Sequence, residues 1–178
     1  MANVMRYHHG ETNPVECPVQ ATEDVEIGDL LYMEYADGLA RPASTIADRA
    51  SLGANQHYFA YRFLGVAAQR HRASHDPADV AVIRVDTDGV FKYTVAALAA
   101  ALPLGIPFGV DENAAGTALL DQQVEQVPLT SMERAVGLLN KPARAGDVEI
   151  ELKLCTRIMT CCEIEQDDHF TSSSSSGT

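Results

Sequence analysis

Val148-Glu149-Ile150-Glu151-Leu152-Lys153-Leu154 alternates strictly between apolar and polar side chains. A period of two places Val, Ile and both Leu on a core and Glu, Glu and Lys in water, which predicts a half-buried strand. Shorter apolar runs elsewhere flank turn residues. Leu30 to Tyr35 and Leu39 to Ala43 surround Ala36-Asp37-Gly38. An Asp-Gly step between apolar runs predicts a hairpin, because glycine accepts the positive φ of a tight turn. Val80 to Val85 and Val90 to Val95 predict a second and stronger hairpin around Asp86-Thr87-Asp88-Gly89. Ile106 to Val110 and Thr117 to Leu120 predict a third, around Asp111 to Gly116. Arg134 to Asn140 and Val148 to Leu154 predict two further strands around Lys141 to Asp147. Residues 15–22 also alternate; Pro18 cannot donate to a ladder, so they read as an edge strand.

Helix is scarce. Ile46 to Phe63 mixes polar and aromatic residues and predicts one short helix within a long loop. Thr94 to Leu102 is Ala-rich and predicts a second, with Thr94 as cap and Pro103 as stop. Pro128 to Arg134 predicts a single turn. Residues 1–14 are polar and aperiodic and read as an extended N-terminal arm. Residues 156–178 read as a C-terminal extension whose Ser-rich end has the composition of a flexible tail.

The pattern occurs twice. Gly28-Asp29-Leu30-Leu31-Tyr32, Leu64-Gly65-Val66-Ala67 and Asp79 to Val85 have counterparts in Gly105 to Val110, Val136-Gly137-Leu138-Leu139 and Asp147 to Leu152. The offsets are about 77, 72 and 68 residues. The prediction is an all-β domain over 15–155 with one or two short helices. It is a β-sandwich or partly open β-barrel built from two similar halves, about 15–95 and 96–155. Residues 45–62 form an insertion in the first half alone. Gly65 and Gly137 each lie inside an apolar strand, which marks a bulge or a close backbone approach.

The chain has 13 Lys and Arg against 25 Asp and Glu, a net charge of −12. That surface repels a nucleic-acid backbone and favours a neutral or basic protein partner. Met1 to Arg6 has no apolar stretch of the secretory kind, and Val95 to Leu102 is far too short to span a bilayer. A soluble chain made in a cytoplasm is expected. Cys17, Cys155, Cys161 and Cys162 form no CxxC pair and are expected to be free thiols. His8 and His9 are adjacent, so in an extended arm they point opposite ways. His71, His75 and Asp76 converge only on a helix, which Pro77 disfavours. Ser51 sits in Ser51-Leu52-Gly53 and not in a nucleophile elbow, and no phosphate-binding glycine loop is present. No catalytic residue, metal or cofactor is expected.

The order Gly28 to Tyr32, Leu39 to Ala43, Phe63 to Ala67, Val80 to Val85, Asp88-Gly89-Val90-Phe91, Leu104 to Val110, Ala135 to Leu138 and Val148 to Leu154 carries a resemblance. It resembles the capsid decoration (cement) proteins of tailed bacteriophages, a group once labelled recombinase-like. The resemblance spans about residues 15–155 and rests on order and spacing. The Gly-Val-Phe step at 89–91 is its most characteristic element. It implies a non-enzymatic, often trimeric protein on the outer surface of the virion head. Such a protein clamps neighbouring major capsid proteins and touches neither nucleic acid nor membrane. The N-terminal arm of that family commonly adds capsid contacts, which points to Arg6, Tyr7, His8 and His9. The 45–62 insertion departs from the family pattern and offers Asn55, His57, Tyr58 and Tyr61. Two other readings compete. One is a different β-rich virion module (fibre, spike or tail). The other is a small hydrolase or carbohydrate-binding barrel, with Tyr32, Tyr35, Tyr58, Tyr61 and Tyr93 lining a sugar site.

Overall fold

A computed structural model describes residues 7–74 and 80–158 of the chain. In chain order the strands are β1 (Tyr7–His9), β2 (Pro14–Gln20), β3 (Leu30–Glu34), β4 (Leu39–Pro42), β5 (Phe63–Ala67), β6 (Val80–Asp86), β7 (Val90–Thr94), β8 (Pro107–Glu112), β9 (Leu119–Gln126), β10 (Gly137–Leu139) and β11 (Glu149–Leu154). One α-helix, α1 (Leu52–Arg62), lies between β4 and β5. Short 3-10 segments cover Ala43–Thr45 and Leu129–Arg134. The fold is all-β.

Two rings of strands account for the duplication. β2-β4-β3-β5-β6 closes into a barrel. The second sheet runs β1-β7-β11-β10-β8-β9, and β9 also pairs with β7, which joins β7 to β11 into a second ring with β1 outside it. Each ring has the same connectivity. Its first strand meets its third through one parallel bridge, Val19 with Ala40 and Thr94 with Gln123. All other pairs within the rings are antiparallel. The match extends to single bonds. Gly28 N–H donates to the Ala67 carbonyl and Gly105 N–H to that of Leu139, both at 2.9 Å. Isolated bridges recur at equivalent places, Val25 with His71 and Leu102 with Ala143.

The glycines inside strands explain themselves at this level. A Cβ on Gly65, whose φ is +151°, would overlap the carbonyl oxygen of Asp86. A Cβ on Gly137 would stand 2.7 Å from the carbonyl oxygen of Lys153. In each ring the fourth strand therefore approaches the fifth too closely for any side chain.

Cys17, Val19, Val25, Leu31, Ala40, Leu64, Ala67, Ile83 and Val85 form a core cluster contributed wholly by the first half. The larger cluster joins both rings: Leu30, Tyr32, Phe63 and Val66 of the first pack with Phe91, Tyr93, Phe108, Val124 and Leu152 of the second. Alternation along β3 explains the split, since Leu31 belongs to one cluster and Leu30 and Tyr32 to the other. The halves are thus two barrels fused through a common core. Polar contacts run alongside. Gln122 Nε2 donates to Asp29 Oδ1 at 2.7 Å, and Ser44 N–H donates to Asp121 Oδ1 at 2.6 Å.

Five local expectations change. The strands around Asp86-Thr87-Asp88-Gly89 do not pair with each other. β6 joins the first ring and β7 the second, so this turn is the crossover between barrels. Longer ladders outbid the local turn: β6 pairs with β2 over the whole length of β2, and β7 with β11. β2 is not an edge strand but closes the first barrel. Its ladder is continuous on the β6 side only, which accommodates Pro18. Thr94 to Leu102 forms no helix. The amides of Val95, Leu98 and Leu102 instead donate to the carbonyls of Val148, Asp147 and Ala143. Residues 7–14 are not a free arm. β1 pairs with β7, and the Thr12 carbonyl accepts from the amides of Thr87 and Asp88. Val148, expected on the core, precedes β11 and is exposed, while Ile150, Leu152 and Leu154 are buried.

Candidate functional site

Among the described residues the one long departure from the repeat is the connection between β4 and β5. In the second barrel the equivalent link carries only the 3-10 segment Leu129–Arg134, which packs against α1. α1 is capped by Ser51, whose side chain accepts from the Ala54 amide at 3.3 Å. It buries Asn55, Gln56 and Phe59. Phe59 is fully buried and packs edge-on against Tyr32, with ring centroids 5.9 Å apart. Gln56 Nε2 donates to the Val110 carbonyl at 3.0 Å and to Glu125 Oε1 at 2.8 Å, which ties α1 to the second barrel. Gly109 makes room for that approach, since a Cβ there would lie 3.1 Å from Gln56 Nε2.

The opposite side of α1 is a cluster of tyrosines and arginines. The Arg49 and Arg62 guanidiniums lie 3.5 and 3.7 Å from the Tyr58 ring centroid. Tyr58 Oη donates to Glu34 Oε2 at 3.2 Å. Tyr35, at the end of the β3 hairpin, meets Tyr61 edge-on at 6.4 Å, and Arg157 stands 4.6 Å over the Tyr61 ring. Cation–π contacts of this kind contribute about 0.5–1 kcal/mol each where exposed. They hold these long side chains in place. Tyr35 and Tyr61 remain 52% and 40% exposed, and His57 is exposed beside them. Arg49, Ala54, His57, Tyr58, Tyr61 and Arg62 line an open groove. Leu129 and Met132 add exposed apolar surface on the adjoining 3-10 segment. The face offers donors and rings, a composition suited to gripping another protein.

Of the residues singled out on the insertion, His57, Tyr58 and Tyr61 lie on this face. Asn55 does not. It is buried, accepts from the Arg49 amide at 2.8 Å and donates to Asp48 Oδ1 at 3.2 Å, so it braces the loop before α1. Arg49, Arg62 and Arg157 were not singled out, and Tyr35 was named only for a sugar site. The i, i+4 spacing of Tyr58 and Arg62 was a legible signal for one of them. Tyr32 and Tyr93 are buried in the shared core, so the five tyrosines do not line one sugar site.

Arg6 lies outside the described residues, as do His75, Asp76 and the Ser-rich end. Tyr7, His8 and His9 form β1. They do not alternate as an extended arm would. Tyr7 pairs with Phe91 and His9 with Val90, so two residues of β1 advance against one of β7 and the strand bulges at His8. The two imidazoles turn toward each other, with ring centroids 4.9 Å apart. His8 Nε2 stands 3.4 Å from Glu151 Oε1 on β11.

Burial shapes two other groups. The half-buried Asp121 carboxyl is pushed up to about 6, first by desolvation and then by the nearby charges of Asp29 and Glu23. The Ser44 amide pulls it back. Cys17, buried inside the first barrel, has its thiol raised by desolvation alone. No helix among the described residues is long and apolar enough to cross a membrane.

Comparison with protein-family models returns no match, and comparison with curated proteins returns none either.

Proposed function

We propose that this chain is a capsid decoration protein that grips neighbouring major capsid proteins on the outer surface of an assembled head. The observation that carries the reading is the α1 face. The strand framework repeats closely, and the long insertion that breaks the repeat presents ordered tyrosines and arginines to solvent. Tyrosine and arginine are enriched among residues that dominate binding energy. The order of strand motifs that resembles decoration proteins supports the same reading, as does the net charge of −12, which discourages non-specific attachment to packaged nucleic acid. Many such contacts repeated over a lattice add strength through multivalency. In this reading the chain acts as a homotrimer, and β1 adds a second, smaller contact through Tyr7.

The test is cosedimentation with expanded heads assembled from the major capsid protein of the same genome, followed by electron cryomicroscopy. Saturable binding to heads, weak binding to unassembled capsid protein, and loss of binding on Tyr61→Ala with Arg62→Ala are expected. Binding to tails or fibres instead, or turnover of a glycan or ester with no head binding, would replace this reading with one of its competitors.

A further inference from the structure

We propose that His8, His9 and Glu151 form a divalent transition-metal site of the zinc class that fastens β1 across β7 to β11. This rests on geometry in the second barrel and is independent of what the α1 face binds.

The three side chains offer two imidazole nitrogens and one carboxylate oxygen, all within 4.8 Å of one another. Two donors held at tetrahedral vertices about 2.0–2.1 Å from a zinc ion are about 3.3–3.4 Å apart. His8 Nε2 and Glu151 Oε1 already stand at 3.4 Å. Both histidines are exposed, so the His9 ring is free to turn the remaining distance. The donor set suits a borderline ion and not magnesium or calcium, which take oxygen ligands.

The bulge is what builds the site. In a regular strand His8 and His9 would face opposite sides of the sheet, and only one could reach Glu151. One extra residue in β1 re-aims them together. Glu151 projects from the outer side of β11, since Ile150 and Leu152 on either side of it are buried. Its carboxylate lies 3.9 Å from Lys141 Nζ, and that side chain is 71% exposed and free to swing away. The ion then takes the place of the ammonium as the partner of the carboxylate.

A tie is useful here. β1 has three residues, all exposed, and pairs with β7 alone. The Tyr7 ring on Phe91, 5.8 Å between centroids, and the Tyr7 Oη bond to the Gly10 carbonyl anchor one end. A metal bridge from β1 to β11 spans β7 and anchors the other.

The test uses untagged full-length protein with Cys155, Cys161 and Cys162 changed to Ser, so that the buried Cys17 is the one thiol left. Zinc is titrated in competition with a chromophoric chelator, and amide exchange of β1 is followed with and without zinc. One equivalent should bind with a Kd of about 10 μM or tighter. His8→Ala and His9→Ala should each weaken binding by more than about tenfold. Zinc should slow exchange at β1 in the parent protein and leave it unchanged in both variants. Magnesium and calcium should do neither. Zinc affinity that survives the double variant His8→Ala/His9→Ala, or the absence of binding in the parent at that concentration, would overturn the site.

Discussion

The first barrel and the second are built on one plan, bond for bond in places, yet they carry different attachments. The first bears α1 and its tyrosine–arginine face on the link between its third and fourth strands. The second has a short 3-10 segment at that place and bears β1 along its first strand instead. The ladders that match are those that close each ring. The parts that differ lie outside the rings, where a change of length costs no ladder bond. The closed ring is the shared frame, and the two copies differ where closure does not depend on them.

The comparison makes the barrels alike in backbone but joined in core, and the largest expected effect tests the joining. Phe59 belongs to the first barrel's insertion but packs in the cluster shared by both. Phe59→Ala should cost about 3–5 kcal/mol. Calorimetry should show one transition that moves as a whole; two separate transitions would mean that the barrels are independent.

Next comes the equivalence of the strand glycines. Gly65→Ala should destabilise by about 3 kcal/mol, because the new Cβ meets the Asp86 carbonyl in a backbone conformation that disfavours side chains. Gly137→Ala should cost about 1–3 kcal/mol, since only the close approach to the Lys153 carbonyl opposes it. Denaturant titration of both variants measures the difference. Tolerance of alanine at both positions would remove the account given of them.

A smaller effect lies at the seam between barrels. The Asp121 carboxyl holds its proton to about pH 6 in the folded protein and releases it near its ordinary value of 3.8 when unfolded. The folded state thus binds the proton more tightly. Its contribution is fully present below the unfolded value and is lost as pH rises through about 6, a change of roughly 1–3 kcal/mol. Asp121→Asn should flatten that slope relative to the parent, in melting curves taken from pH 4 to 8. An unchanged slope would place the titration elsewhere.

The smallest effect separates attachment from frame. Ser51→Ala removes the cap of α1 and should cost about 1 kcal/mol. Both rings should keep their amide-exchange protection while α1 loses some, and an equal loss in β8 or β9 would show that α1 is part of the frame.

Much of the frame could be read before any coordinates. The alternation in β11 is visible because one face is wet and the other dry. The paired glycines at 65 and 137 are visible because a close backbone approach admits no substitute. Ring closure was not visible, since each ring is sealed by a single parallel bridge between residues far apart in the chain. The Asp86–Gly89 turn misled for the same reason: turn chemistry is local, and the ladders that claimed its flanking strands are not. At the α1 face, His57, Tyr58 and Tyr61 were legible as polar and aromatic residues breaking a repeat. Asn55 belongs to the same run, but its burial depends on how the preceding loop folds back. The convergence of His8, His9 and Glu151 depends on one bulged residue, and a bulge leaves no mark in a three-residue strand.

The crossover between barrels has a consequence for how the chain comes off the ribosome. Thr87 is buried, its amide and hydroxyl donate to the Thr12 and Asn13 carbonyls, and its own carbonyl accepts from Thr156. The first barrel has all its strands once residue 86 is made. β1, synthesised before any of them, has no partner until β7 emerges, and the crossover lacks its last bond until Thr156 follows. β1 is thus among the last strands to be set in place, and until β7 emerges it stands outside a ring that already has all its strands.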